Sequence, residues 1–269
     1  MFIVPHSPNL EITGDYGEVD IDDGFNYIFN FLYRIIEGGK RVHVCGIERI
    51  GMGLRVKFLN KSGSTCTIKL YKILNPHILV TNHNSREPVR LGMKYYTLRV
   101  PPGYIEYPIQ KQSEKRDDLY IFSYKITQGS SQVFVASCFL NDIHVADKFT
   151  IGFFNDGSID SYIDLFGVEE DFLVSHDRFP PPKNGTDLKQ TSNERKFIKN
   201  GEPMRFVLQP TQEGKGCILS YTFQVQNNIQ NVYVSSQYYV GNFLNVVFFN
   251  ESGGEIYVDV QGWETYPYS

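Results

Sequence analysis

LNVVFFNESGGEIYVDV, residues 244–260, holds an apolar run, a turn opened by Asn250 and a second run that alternates apolar with polar residues. The same pattern stands at residues 54–70, LRVKFLNKSGSTCTIKL, and at residues 149–165, FTIGFFNDGSIDSYIDL, and the three copies align without a gap. Counted back from Asn60, Asn155 and Asn250, every second residue is apolar: Phe58, Val56 and Leu54; Phe153, Ile151 and Phe149; Phe248, Val246 and Leu244. After the turn come Ile68 and Leu70, Ile163 and Leu165, Val258 and Val260, with Lys69, Asp164 and Asp259 between them. Such period-two alternation describes strands with one face on a core and the other in water. Asn followed by Ser and Gly is turn chemistry, so each copy reads as a β-hairpin.

A second hairpin is expected upstream in each copy. Its sequences are YIFNFLYRIIEGGKRVHV from Tyr27, YIFSYKITQGSSQVFV from Tyr120 and CILSYTFQVQNNIQNVYV from Cys217. Aligned on their first residues, the middle copy is two residues shorter, a difference placed in its loop. Alone, FNYIFNFLYRII has the spacing of an amphipathic helix, but its match to two β-like copies makes it a strand. Short runs, FIVPH from Phe2, ILVTN from Ile78 and FLVSH from Phe172, open the copies. The chain therefore divides into residues 1–73, 74–166 and 167–269. The expected fold is all-β, three tandem β-sandwich-like units related by internal duplication, set in a row or around a pseudo-threefold axis. Residues 175–203, polar and holding Pro180, Pro181 and Pro182, read as a long loop.

Composition agrees. Only two alanines occur among 269 residues, against 18 Tyr and 20 Phe, which disfavours helices and favours strands. A net charge of −4 gives no footprint for a nucleic-acid backbone. The N-terminus lacks the basic and apolar regions of a secretory signal, and no apolar window reaches the length of a membrane span, so intracellular synthesis is expected. Cys45, Cys66, Cys138 and Cys217 lie far apart and read as free, mostly buried thiols. Asn60, Asn184 and Asn250 begin glycosylation sequons, but two of them are turn residues first.

No phosphate-cradling loop, zinc-protease motif, nucleophile elbow or paired-cysteine motif occurs, so no catalytic residue, cofactor or metal is assigned. Two weaker groupings stand out. His6 and His176 fall at equivalent positions, with Asn82 in the third place and His83 beside it; strand-end polar residues are the simpler reading than a threefold metal site. Glu18, Asp20, Asp22 and Asp23 precede Gly24 but lack the ligand spacing of a calcium loop, and read as a solvated turn.

The aromatics carry the interaction reading. Tyr71, Tyr162 and Tyr257 come from the repeated hairpins, and Tyr162 and Tyr257, seven residues after their Asn, are expected to face outward. Tyr238 and Tyr239 are placed in a loop, while Trp263, Tyr266 and Tyr268 are placed in a C-terminal tail special to the third unit. Together these features favour a non-enzymatic structural protein that associates with itself or joins a coat, capsid or protein inclusion. The alternative is a lectin-like or toxin-like module binding glycans or membranes through the repeated Asn turns. A hydrolase using His176, Asp177 and Glu194 ranks third.

Overall fold

The computed structural model describes residues 2–24, 28–74, 93–110, 119–140, 148–169, 188–211, 218–226, 231–241 and 243–265. Among them are nineteen strands and no α-helix. The strands form three antiparallel sheets. The first sheet runs β1 (Phe2–Pro5), β7 (Cys66–Leu74), β4 (Ile28–Glu37), β11 (Val133–Leu140), β12 (Lys148–Asn155) and β9 (Gly103–Gln110), with β2 (Leu10–Ile12) also on β7. The second runs β15 (Pro203–Leu208), β18 (Phe243–Asn250), β17 (Val232–Val240), β10 (Leu119–Gln128), β13 (Ser161–Glu169) and β8 (Met93–Val100). The third runs β14 (Leu188–Ile198), β19 (Ile256–Thr265), β16 (Ile218–Val225), β5 (Val42–Ile50), β6 (Gly53–Asn60) and β3 (Tyr16–Ile21).

Each sheet thus joins strands from two of the three sequence segments. The joints are β4 with β11, β10 with β17 and β16 with β5, running from first segment to second, second to third and third to first. The register repeats at every joint: Tyr33 faces Cys138, Tyr124 faces Gln237 and Phe223 faces Ile47.

The strands around each repeated Asn turn are present as expected, but they are not hairpin partners. Strand β6 belongs to the third sheet and β7 to the first, and the same separation holds for β12 and β13 and for β18 and β19. The upstream pairs, β4 with β5, β10 with β11 and β16 with β17, are likewise split between sheets. Both turns are arches that carry the chain from one sheet to another. The hairpins are the connections between them, β5–β6, β11–β12 and β17–β18. Period-two alternation fixes which face of a strand is buried and leaves its partner open. An arch satisfies the pattern by turning both apolar faces to one core, as Phe58 and Ile68 do.

Three cores result. The first packs Ile12, Ile21, Phe31, Val56, Phe58 and Ile68; the second Val100, Ile109, Tyr124, Ile151, Phe153 and Ile163; the third Phe206, Phe223, Val246, Phe248, Val258 and Val260.

Register also corrects the placing of the length difference. Tyr33 pairs with Leu70, Tyr124 with Leu165 and Phe223 with Val260, and each of these ring residues stands equally far before Val42, Val133 and Val232. No shortening falls in the middle arch. The middle copy is instead longer between Val133 and Asn155, a span that includes residues 141–147 outside the described part. The stretch read as one long loop, 175–203, contains strand β14, paired along β19 from Leu188 with Thr265 to Ile198 with Ile256. Its polar sequence misled because an edge strand can carry charge on its outer face and gains protection from it. Residues 175–187 lie outside the described residues, as do 78–82 and 172–176 of the short opening runs.

Candidate functional site: the axial cavity

The Asn turns repeat one set of hydrogen bonds. In each, the Asn Oδ1 accepts from the backbone N–H two residues on: Ser62 at 3.0 Å, Gly157 at 2.9 Å and Ser252 at 2.8 Å. The Nδ2 donates to the carbonyl four residues on, Ser64, Ile159 or Gly254, at 2.8 Å in all three. It donates again to a more distant strand end, at Gly14, Val100 or Ile198. These side chains are buried structural pins. Their amides are committed to the backbone of their own turns and to a neighbouring strand end.

Where the three joints meet, the second residues of β5, β11 and β17 converge. His43, Phe134 and Tyr233 form a triangle of rings with centroids 4.9, 4.9 and 5.0 Å apart, and all three are almost fully buried. The sequence shows the column, VHV at 42–44, VFV at 133–135 and VYV at 232–234, but the three ring types differ and nothing local marks them as neighbours. A β-bulge follows at the same place in each strand, between Val44 and Gly46, Val135 and Ser137, and Val234 and Ser236. On one side of the triangle lies a charged belt. Arg41 binds Asp156 at 2.6 Å, Lys61 binds Glu251 at 2.6 Å, and Glu251 also accepts from Gln132 at 2.8 Å and from the Tyr233 hydroxyl at 3.1 Å.

Beside the ring triangle lies a cavity of about 120 Å³. All three segments line it, through Tyr33, Tyr124 and Phe223 and through Val44, Val135 and Val234 among others. Its further polar groups include Asn30, Ser123, Cys138 and the Tyr221 hydroxyl, which donates to Gln237 at 2.8 Å. Burial pushes the Tyr33 and Tyr124 hydroxyls and the Cys138 thiol well above their ordinary pKa values. At neutral pH these groups stay uncharged.

The sequence-predicted interaction residues are scattered. Tyr162 and Tyr257 face outward, 36% and 43% exposed, on different sheets. Tyr257 pairs with Phe197 of β14, ring centroids 4.9 Å apart. Tyr71 is buried in the second core. Tyr238 and Tyr239 belong to strand β17, not a loop; Tyr238 is buried, and Tyr239 donates to the Ile218 carbonyl at 2.7 Å. Residues 261–265 complete β19 as 71–74 complete β7, so Trp263 is no tail residue. Its indole N–H donates to Thr222 Oγ1 at 3.0 Å and the Arg49 guanidinium lies 5.0 Å over its ring. Tyr266 and Tyr268 lie outside the described residues.

The other groupings resolve similarly. Asp20 is held by Arg55 through two contacts of 2.7 and 2.8 Å, and Asp22 accepts from the backbone of Asp23 and Gly24. His6 is held below its ordinary pKa by burial and by the Lys72 charge, while Asn82, His83, His176 and Asp177 lie outside the described residues. Among the described residues no three His, Cys, Asp or Glu side chains gather as metal ligands, and no helix is long and apolar enough to cross a membrane. Cys45, Cys66 and Cys138 are free and buried, with burial pushing the Cys45 thiol up to about 12; Cys217 is outside the described part. No protein-family model, curated protein or solved structure matches this chain.

Proposed function

We propose that the chain is three β-sandwich-like units related by internal duplication and closed about a pseudo-threefold axis, and that it serves as a non-enzymatic structural protein associating with copies of itself or with other components of a coat, capsid or protein inclusion. Support for the duplication comes from the shared register of the three joints, the three bulges and the three Asn pins. A body closed in this way holds its outer faces rigid relative to one another, as a repeating building block requires. The observation that carries the assembly reading is the Phe197–Tyr257 pair. Two aromatic rings packed on each other, 36% and 43% exposed, stand on the outer face of the edge strand β14 and its neighbour β19. Exposed aromatic pairs of this kind serve protein contacts by burying large rigid area at little entropic cost.

Size-exclusion chromatography with light scattering over a concentration series, followed by electron microscopy of the concentrated sample, tests this reading. Association weakened by replacing Phe197 and Tyr257 with Ser supports it; a wild-type chain that remains monomeric throughout overturns it. One observation favours a second reading, in which this face stacks on a sugar. The Arg195–Asp259 pair, bonded at 2.6 and 2.7 Å, lies two cross-strand pairs along the same two strands and supplies groups able to orient hydroxyls. Binding on a glycan array, lost with Tyr257→Ser, separates that reading from self-association.

A further inference from the structure

The axial cavity lies where one pattern meets itself three times, and one of the three departs from the others. At two joints a tyrosine hydroxyl donates to the carbonyl at the neighbouring bulge: Tyr33 to Val135 at 2.6 Å and Tyr124 to Val234 at 3.0 Å. At the third joint the ring residue is Phe223, paired with Ile47 as Tyr33 is with Cys138 and Tyr124 with Gln237, and the bulge residue is Val44. Phe223 has no hydroxyl, so Val44 lacks the tyrosine bond that its two counterparts have. Both Val44 and Phe223 line the cavity.

The lining restricts what can occupy it. Among the described lining residues none is Asp, Glu, Lys or Arg, so these walls give an ion no compensating charge for its lost hydration. Phe31, Tyr33, Tyr124, Phe134 and Phe223 supply aromatic wall, which favours an apolar ring. The volume, about 120 Å³, is of the order of the roughly 150 Å³ of an engineered cavity that takes benzene, so it suits a ligand of a single ring. A ligand hydroxyl placed where Phe223 has none would give Val44 the bond that Tyr33 and Tyr124 give Val135 and Val234.

We propose that the axial cavity binds one small neutral aromatic alcohol, the size of phenol, whose hydroxyl donates to the Val44 carbonyl and whose ring packs among the three joints. The site is independent of the assembly reading, since it lies inside one chain. Phenol is the probe and benzene its control, titrated into the full chain by calorimetry and followed by NMR. The expected result is saturable binding of one phenol, about tenfold tighter than benzene, as one added hydrogen bond gives. Nuclear Overhauser contacts from phenol protons to the methyl groups of Val44 and Val234 should locate it. Phe223→Tyr supplies the hydroxyl from the protein and should reduce phenol affinity at least to that of benzene, in a variant whose circular dichroism and melting show it folded. Absence of saturable phenol binding, equal affinity for phenol and benzene, or no contacts to Val44 at saturating phenol each overturns the proposal. These three readouts use the wild-type chain and stand even where Phe223→Tyr fails to fold.

Discussion

Asn250 shows how much structure one side chain can hold. It is completely buried, donates to the Ile198 and Gly254 carbonyls at 3.0 and 2.8 Å and accepts from Ser252 N–H at 2.8 Å. Asn250→Ala leaves three backbone groups without that partner in a place water reaches poorly, a loss of about 2–4 kcal/mol measurable by urea unfolding. Glu251, the next residue, gives a pH dependence. Burial pushes its pKa up, but the Lys61 ammonium and the hydrogen bonds from Gln132 and Tyr233 outweigh this and hold it below its ordinary value of 4.5. The unfolded chain therefore takes up this proton first as pH falls. The contribution of Glu251 is whole above pH 4.5 and is lost as pH drops through the lower folded value. Stability measured from pH 7 down to 3 should fall less steeply in Glu251→Gln than in the wild type; equal slopes would place the acid sensitivity elsewhere.

At the scale of the element, the arches rather than the ladders are the demanding parts. The arch from β10 to β11 passes so close to the start of β13 that a Cβ on Gly129 would lie 2.2 Å from the Asp160 carbonyl oxygen, and Gly129 has φ +97°. Gly38 stands in the same relation to the Thr65 oxygen, at 2.1 Å with φ +85°. Gly129→Ala combines a left-handed backbone with a backbone clash, and should destabilise by roughly 2–4 kcal/mol, against about 1 kcal/mol for the left-handed conformation alone. Gly253, also left-handed but with open space around it, is the control, and chemical denaturation of the two Ala variants compares them. The sequence made the strands legible, because Phe58, Phe153 and Phe248 repeat on one face at fixed distance from an Asn. It did not show that the flanking strands part company at that Asn, since alternation is the same in an arch and in a hairpin. Tyr238 was misplaced for a related reason: the bulge between Val234 and Ser236 interrupts the simple alternation of β17. The cavity was illegible because its walls come from positions that share a column, such as Tyr33, Tyr124 and Phe223, only once the register is known. Matching the copies on their YIF opening put Tyr33 against the wrong residue of the middle copy by two places.

For the whole molecule, the cyclic order of the joints has a thermodynamic consequence. Every segment contributes to two sheets, so no segment can unfold without stripping a partner strand from each of the other two. Removing the third segment, for example, exposes β10 and β5 along edges that β17 and β16 cover. The unfolding unit should accordingly be the entire chain, not three independent domains. Trp263, the single tryptophan, sits in the third sheet, with Arg49 of the first segment over its ring. Its fluorescence follows the joint between first and third segments, while far-UV circular dichroism follows all three sheets. The two signals should report the same urea midpoint. Phe134→Ala tests the coupling from a site remote in sequence. Phe134 is 1% exposed and forms one corner of the ring triangle, against His43, Tyr233 and the stacked Phe154, so its truncation should cost about 3–5 kcal/mol. In a closed ring of segments that loss shifts both midpoints equally, although the substitution lies in the second segment and the fluorophore in the third. A variant in which the Trp263 transition stays at the wild-type midpoint while the dichroism transition moves would show that the joints open one at a time.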